Sequence, residues 1–318
     1  MDNEARYLIS IDGGGTKTGL CVYDCAADAV KSCTRGGGNY KTHGIETVKT
    51  RIGDGLRELL PEVEEIPDAV RFLVMGTSGC DTRQDAEVYR EMMQSLGFPP
   101  EKMLICNDSE MLFRSLADAP GICVVAGTGT IALSFERNGM IRRAGGWGAP
   151  VSDEGSGYWI GASVIREYLE WVDGFGIEDA FFSRLREVSP AGDPEEAAAI
   201  LAALHPARIA DWAQTVLEAA DSDELCRKIV KLAAEKTALL AASVYRKSNF
   251  WTETGICIVE SGGLFRNAFY ERVFRNSLEE LLPARNYSFL RSDGTPAEDG
   301  IRLAKKLSLD TAIAQSCD

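Results

Sequence analysis

The chain has few histidines, and its cysteines do not form the closely spaced pairs that commonly bind metals. Its 318 residues include only two histidines, His43 and His205, and its nine cysteines form no Cys-x-x-Cys pair. Structural zinc modules need such spacing, so the common zinc folds are excluded. Several cysteines lie in apolar runs, where cysteine behaves as a small buried hydrophobe. We interpret all of them as reduced thiols of a cytoplasmic protein. Neither histidine is assigned a catalytic role.

The chain also lacks a surplus of basic residues. It has 34 Lys and Arg against 48 Asp and Glu, a net charge of −14. This balance argues against a nucleic-acid partner, because no basic surface is available to neutralise backbone phosphates. No apolar run approaches the ~20 residues of a membrane helix, so no membrane partner is expected. Residues Met1 to Arg6 are polar and charged, unlike a signal peptide. A chain of this length favours two domains.

The most informative motif is the segment from Ile9 to Thr18. It consists of an apolar strand, one acid (Asp12), three glycines, and a lysine with one threonine on each side. Glycines allow a backbone to approach a phosphate closely. Asp12, at the strand end, is the type of oxygen ligand that a hydrated Mg²⁺ prefers. The segment thus predicts a phosphate-binding turn, with an ordinary glycine-rich hairpin as the alternative.

The turn differs from two better-known phosphate-binding motifs. It does not read Gly-x-x-x-x-Gly-Lys-Ser/Thr, and the next element, Gly19 to Tyr23, is predicted to be a strand. A dinucleotide fingerprint would lead into a helix instead. The pattern therefore indicates a turn in a strand hairpin.

The pattern of strand, Gly/Thr turn and strand occurs again near the middle of the chain. Gly121 to Ala126 precede Gly127 to Thr130, and a third apolar strand ends at Ser261 to Gly263. The repetition suggests two duplicated α/β units. Periodicity predicts the following strands: Tyr7–Ile11, Gly19–Tyr23, Ala29–Thr34, Arg71–Met75, Lys102–Cys106, Gly121–Ala126, Ile131–Phe135, Met140–Arg143, Thr254–Val259 and Tyr287–Leu290. Helical spacing covers most of Ser156 to Asn249 and continues in Pro296 to Leu307.

Three glycine turns in this order resemble the nucleotide-binding signature of the actin/Hsp70/sugar-kinase superfamily. Within it, the chain resembles the N-acetylglucosamine kinase and BadF/BadG-type ATPase family over nearly its whole length. The segments that carry this resemblance are Gly36–Tyr40, Asn107–Asp108, Gly145–Gly148, Ser152–Gly161, Ser261–Asn267 and Pro296–Ala297.

The resemblance implies a fold and a domain organisation. The fold would be α/β, a two-lobed actin-like ATPase of the ribonuclease H-like type, with duplicated βββαβαβα units and an inter-lobe cleft. The N-terminal lobe would comprise 1–117, with the C-terminal helix 296–318 packing back on it. The second lobe would comprise 118–295 and include a helical insertion. The resemblance also implies a homodimer.

The resemblance assigns nucleotide-binding residues one by one. ATP would contact three sets of residues, and Asp12 would organise Mg²⁺, through water. The sets are a first phosphate loop of Gly13, Gly14, Gly15, Thr16, Lys17 and Thr18; a second loop of Gly127, Thr128, Gly129 and Thr130; and an adenosine segment of Gly262 and Gly263.

The resemblance likewise assigns substrate-binding residues. Asp108 would contact the sugar and act as the catalytic base. Its alternative role is N-cap of the helix that follows, because aspartate is a favoured cap. The other sugar-binding residues would be Asn39, Gly146, Trp147 and Asp153.

Trp147 and Asp153 also have structural alternatives. Trp147 could pack in the core instead of stacking on a sugar. Asp153 and its neighbour Glu154 could cap the helix from Ser156. Glu260 departs from the family pattern, which has a small or apolar residue at that position.

The implied function is ATP-dependent phosphorylation of the 6-hydroxyl of an amino sugar, N-acetylglucosamine or glucosamine. The alternative is an ATPase activator of the BadF or 2-hydroxyacyl-CoA dehydratase-activator type, which couples ATP hydrolysis to electron transfer. Such activators can hold an iron–sulfur cluster on cysteines, and Cys123 lies in the relevant strand. A sugar-sensing regulator without catalysis is disfavoured because Asp12 and Asp108 are both present.

Overall fold

The computed structural model describes residues 5–250, 253–283 and 286–316, with side chains described to residue 309. The chain forms two compact units. Unit 1 comprises Met1–Asp118 and Ser292–Asp318, and unit 2 comprises Ala119–Arg291. The lobes expected from the sequence were 1–117 with 296–318, and 118–295.

The described residues form ten strands and eleven α-helices. The strands are β1 Tyr7–Gly13, β2 Lys17–Asp24, β3 Ala29–Gly36, β4 Val70–Thr77, β5 Met103–Cys106, β6 Gly121–Ala126, β7 Thr130–Phe135, β8 Ile141–Gly145, β9 Gly255–Ser261 and β10 Asn286–Arg291. The helices are α1 Tyr40–His43, α2 Ile45–Leu59, α3 Arg83–Ser95, α4 Asp108–Leu116, α5 Gly157–Val172, α6 Phe182–Arg186, α7 Pro194–Ala202, α8 Pro206–Ala219, α9 Glu224–Lys247, α10 Ala268–Leu281 and α11 Pro296–Ser316.

The two units have the same sheet topology. The strand order is β3-β2-β1-β4-β5 in unit 1 and β8-β7-β6-β9-β10 in unit 2. In each sheet the first three strands are antiparallel and the last three are parallel. The predicted duplication of α/β units is therefore confirmed at the level of topology.

Helices cover both faces of the unit 1 sheet. Ile9 and Ile11 of β1 pack in one apolar cluster with α2 and α3, whereas Leu8 packs in another with α4 and α11. Successive strand residues point to opposite faces, so a strand buried on both sides is apolar throughout. This explains why Ser10 is the only polar residue in the strand before Asp12.

Helix α11 returns to the sheet of unit 1 at the C-terminal end of the chain. It packs on β1, β2, β4 and α4. A Cβ at Gly300 would lie 1.8 Å from the Ser10 hydroxyl oxygen, so only glycine allows this close approach. Among the helices that the structure describes, none combines the length and hydropathy that a membrane crossing requires.

The first hairpin is longer than the sequence predicted. The strands Tyr7–Ile11 and Gly19–Tyr23 were expected, but antiparallel pairing continues to Gly13 and Thr18. The turn itself is therefore only Gly14, Gly15 and Thr16. The glycine-rich sequence concealed this extension, because glycine disfavours strands unless pairing and packing compensate.

Candidate functional site

Two acidic residues of unit 1, Asp12 and Asp108, lie at or just after the ends of parallel strands. Asp12 on β1 is paired with Gly76 on β4, and Gly76 is paired with Cys106 on β5. Asp108 follows Cys106 by two residues. Because the carboxyl ends of parallel strands meet at one edge, Asp12 and Asp108 belong to the same edge of the sheet.

Burial and the charge of a neighbouring carboxylate raise the pKa of each of these two carboxyls. Burial raises the pKa of Asp12 to about 6, with the charge of Asp108 as the second cause and Lys17 opposing it. Burial also raises the pKa of Asp108, against hydrogen bonds from Ser109 that lower it. Perturbed carboxyls of this kind are typical of functional sites.

Asp108 is not the N-cap of the following helix. The cap of α4 is Asn107, whose side chain accepts a hydrogen bond from the Ser109 backbone at 2.9 Å. The Asp108 carboxylate accepts from the same amide at 2.7 Å. Asn107 is therefore the N-cap, a role that the sequence alone allowed for Asp108. The Asp108 carboxylate can still accept hydrogen bonds from other donors.

The first glycine turn is fixed by its neighbours. The carbonyl oxygen of Gly13 accepts hydrogen bonds from the backbone of Ser78 and the hydroxyl of Thr77, both at 3.0 Å. Gly15, Thr16 and Lys17 are exposed. Thr18 differs from them, because it is buried on β2 and its hydroxyl donates to the Gly36 carbonyl at 2.8 Å. The structure thus places Thr18 inside the hairpin, where its hydroxyl braces the neighbouring strand.

Asn39 lies at the same end of the unit 1 sheet. It caps α1 by accepting a hydrogen bond from the Lys41 amide at 2.9 Å. A Cβ at Gly79, just past β4, would lie 2.7 Å from its side-chain oxygen. The amide nitrogen of the Asn39 side chain has no hydrogen-bond partner in the described part of the chain. It is therefore a candidate donor to a sugar hydroxyl.

In unit 2, the second and third glycine turns line one cavity. Strands β6 and β9 are parallel neighbours, so Gly127–Thr130 and Ser261–Gly263 leave the sheet side by side. The cavity has a volume of about 860 Å³. Its lining includes Gly127, Thr128, Gly263, Arg266 and Asn267, with α8 on another side.

The loop that carries Asp153 packs against the second turn. Asp153 is buried, with a φ of +72°, and its carboxylate accepts from the Thr130 amide at 3.4 Å. Tyr270 donates to the Gly155 carbonyl at 3.0 Å and anchors the loop. Helix α5 is capped by Ser156. The side chain that caps α5 is therefore that of Ser156, not that of Asp153 or Glu154. An aspartate held at a positive φ is typical of functional sites.

Trp147 is exposed, contrary to the core-packing alternative. Its side chain is 76% accessible, and the Arg143 guanidinium stacks 4.2 Å from the ring centroid. Neighbouring Gly146 donates its amide to the Thr130 carbonyl at 2.8 Å. The Gly146–Trp147 segment therefore borders the second turn with an aromatic face available to a ligand.

One glycine in each turn has no structural need to be glycine. A Cβ added at Gly15, Gly127 or Gly263 would meet no atom within 4 Å, and none of these residues has a positive φ. Gly262 is different, because its φ is +98° and a Cβ would lie 2.2 Å from the Ala126 carbonyl oxygen. The open space at the first three positions is thus available to a ligand.

Glu260 is explained by a buried ion pair. Its carboxylate accepts two hydrogen bonds from Arg275 on α10, at 2.8 and 2.6 Å. Burial raises the pKa of Glu260, and Arg275 lowers it. A charge in this strand is tolerated because its partner comes from the helix that packs on it.

Cys123 is fully buried within β6. A cluster shared between two subunits needs cysteine side chains at a surface, so this geometry does not favour the electron-transfer activator. Among the described residues, no three His, Cys, Asp or Glu side chains form a metal-binding group.

Several residues that shape the site were missed by sequence reasoning. His43 contacts the first turn, Asp81 adds to the repulsion that raises the pKa of Asp108, and Tyr270 anchors the Asp153 loop. Each acts through a contact distant along the chain. No spacing signal marked them in advance.

Comparison with known proteins identifies the relatives of the chain. The model of the BadF/BadG/BcrA/BcrD ATPase family matches residues 9–287. An N-acetylmuramic acid/N-acetylglucosamine kinase of Clostridium acetobutylicum is 32% identical over 169 residues, 53% of this chain and 55% of that protein. An N-acetyl-D-glucosamine kinase of Dictyostelium discoideum is 32% identical over 180 residues, 54% of this chain and 56% of that protein. The matched region thus spans about half the length of these curated relatives.

Solved structures confirm the predicted α/β fold. A Chromobacterium violaceum protein to which N-acetylglucosamine kinase activity is attributed superposes with a TM-score of 0.69 at 23% identity, covering 94% of this chain and 99% of that one. A ROK family glucokinase from Streptomyces griseus gives a TM-score of 0.54 at 13% identity, covering 95% and 98%. At these identities the likeness concerns the fold alone.

Proposed function

The chain belongs to the BadF/BadG/BcrA/BcrD ATPase family, and on that premise we propose that it is an ATP-dependent kinase for an amino sugar. The phosphoryl group of ATP would be transferred to the 6-hydroxyl of N-acetylglucosamine or glucosamine. The names of the curated relatives support this class of substrate, since they act on N-acetylated amino sugars or, for a Vibrio cholerae relative of 24% identity, on glucosamine.

The observation that carries the ATP assignment is the space beside the glycine turns. Gly15, Gly127 and Gly263 each leave room that the protein itself does not need. A phosphate chain approached by backbone amides uses this kind of room. The cavity lined by Gly127, Thr128 and Gly263 would take the nucleoside, because its volume of about 860 Å³ falls in the range of small-molecule sites.

Asp108 would act as the base for the sugar. Its carboxylate accepts the proton of the 6-hydroxyl as the hydroxyl oxygen forms a bond to the γ-phosphorus. The bond from that phosphorus to the β–γ bridging oxygen breaks, and ADP leaves. In this kind of transfer, positioning and charge stabilisation account for most of the rate. A raised pKa suits Asp108 to this role, because it makes the carboxylate a better proton acceptor.

Asp12 would hold Mg²⁺, through water. The residues present fit this ion, because Mg²⁺ usually keeps several waters and takes only one or two carboxylates together with substrate phosphates. The ion would neutralise charge on the phosphates. Its binding would also lower the pKa of Asp12, since a nearby cation favours the ionised carboxyl.

The sugar would be held by polar side chains already described. The Asn39 amide nitrogen would donate to a hydroxyl, and Asp153 would accept from one. Trp147 would offer its free ring face. These assignments rest on the family resemblance, together with the free donor on Asn39 and the exposed ring of Trp147.

An ADP-release assay over a panel of sugars tests the proposal. The panel should include N-acetylglucosamine, glucosamine, N-acetylmuramic acid and glucose, each with Mg²⁺ and ATP. We expect turnover with an amino sugar and a product phosphorylated at oxygen 6, identified by NMR. ADP release that is equally fast without any sugar would contradict the kinase and favour an ATPase.

A further inference from the structure

The short helix α1 places His43 against the first glycine turn. The Nε2 atom of His43 lies 2.8 Å from the carbonyl oxygen of Gly15. A carbonyl oxygen only accepts hydrogen bonds, so Nε2 must carry the hydrogen and donate it. Within the described part of the chain, His43 is the only side chain that hydrogen bonds to Gly14, Gly15 or Thr16.

The residues around this hydrogen bond are closely packed. A Cβ at Gly37 would lie 2.2 Å from Nε2 of His43 and 2.3 Å from the Gly15 carbonyl oxygen. The adjacent Gly38 donates its amide to the Gly14 carbonyl at 2.9 Å. Arg51 donates to the Gly37 carbonyl at 2.6 Å and fixes this segment from α2.

These contacts determine where two backbone amides point. In a trans peptide the carbonyl and the following N–H point in opposite directions. Holding the carbonyls of Gly14 and Gly15 toward the 37–43 segment therefore turns the N–H groups of Gly15 and Thr16 away from it. Neither N–H has a hydrogen-bond partner among the described residues. Two successive free amides of this kind suit an anion.

From this geometry we infer that His43 is a positioning residue for the phosphate site. It holds the Gly15 carbonyl, and through that peptide it aims the Thr16 amide at a phosphate oxygen of ATP. This inference rests on the proposed function, because it takes ATP as the ligand of the turn. His43 itself does not touch the substrate.

Substitutions that differ only in reach test the role of His43. In His43→Gln the side-chain amide donor lies about as far from the backbone as Nε2, whereas in His43→Asn it is one methylene shorter. We expect His43→Ala and His43→Asn to weaken ATP binding about tenfold, and His43→Gln to stay within about twofold of the wild type. The Michaelis constant for the sugar should not change in any of the three. Isothermal titration with Mg²⁺ and the analogue AMP-PNP measures the nucleotide affinity directly.

Two glycine variants extend the test: Gly37→Ala disturbs the same contact, and Gly53→Ala is the matched control. Gly37→Ala should weaken nucleotide binding as His43→Ala does, because the new methyl group forces the ring and the Gly15 carbonyl apart. Gly53→Ala should leave binding unchanged, since its nearest contacts are at 3.8 Å. Thermal unfolding of each variant shows whether the fold is retained.

The possible outcomes distinguish a failure of the proposed function from a failure of the role proposed for His43. A wild-type protein that does not bind the nucleotide would overturn the proposed function together with the role of His43. Normal binding and turnover in the wild type, with His43→Ala binding as tightly, would overturn the role of His43 alone. Equal weakening in His43→Gln and His43→Asn would also overturn it, because reach would then not matter.

Discussion

The two sheets share one strand order but carry different chemistry just beyond matching strand ends. Two residues after the edge strand β5 stands Asp108, and two residues after the edge strand β10 stands Asp293. Burial raises the pKa of Asp108. The side chain of Asp293 is 91% exposed and forms an ion pair with Arg302 at 3.1 Å. The fold fixes the position of each acid, and its surroundings make only one of them suitable as a base.

The glycine turns of the two units show a complementary difference. In unit 1 the turn lies beside two carboxylates, Asp12 and Asp108, which suits a metal and a reacting hydroxyl. In unit 2 two turns line a cavity large enough for a nucleoside. The same strand framework thus carries different side chains at the turns of the two units.

The largest expected effect separates Asp108 from its counterpart. Asp108→Asn should lower kcat at least about a hundredfold, because the amide cannot accept the proton. Nucleotide affinity should change little. Asp293→Asn is the matched control, and its kcat should remain within about twofold, since surface ion pairs contribute little. Steady-state kinetics with the amino sugar gives both values, and similar losses in the two variants would remove the distinction between them.

A second effect concerns the electrostatic cost of Asp12 in the absence of nucleotide and metal. Its pKa is about 6 in the folded protein against 3.8 as the ordinary value. The folded state therefore binds more protons in this window, and stability falls as pH rises from about 4 through 6. Asp12→Asn removes that cost, so it should be more stable than the wild type by about 3 kcal/mol at pH 8. The advantage should shrink toward pH 4.

Urea unfolding at both pH values measures this effect. Asp108→Asn provides a control, because removing its charge lowers the pKa of Asp12 and should recover part of the gain. A difference between the wild type and Asp12→Asn that does not vary with pH would contradict the pKa assignment.

The smallest effect tests the space beside the turns. Gly15→Ala and Gly127→Ala should weaken ATP binding about tenfold, because each added methyl group would occupy space that we assign to the phosphates of ATP. Their unfolding free energy should remain that of the wild type. Gly262→Ala should instead destabilise the protein, because its positive φ and the Ala126 carbonyl exclude a side chain. If Gly15→Ala or Gly127→Ala bound ATP normally, the open space would have another explanation.

Local sequence patterns predicted the framework and the strand ends at which the candidate residues lie. Apolar runs and glycine turns located the strands and the residues at their ends, since these signals are short-range. They did not distinguish the two roles weighed for Asp108, because the choice depended on Asn107 acting as the cap. The partner of Glu260 lies on a packed helix, and His43 reaches the turn from a segment 28 residues away. Tertiary contacts of this kind leave no periodic signal.

Hydrogen exchange measures directly whether the three glycine turns bind one nucleotide, as proposed. Peptides that cover Gly13–Thr18, Gly127–Thr130 and Ser261–Gly263 should be followed by mass spectrometry as Mg²⁺ and AMP-PNP are added. We predict that all three become protected with the same half-saturating concentration. Protection of one turn alone, or of different turns at different concentrations, would contradict the account.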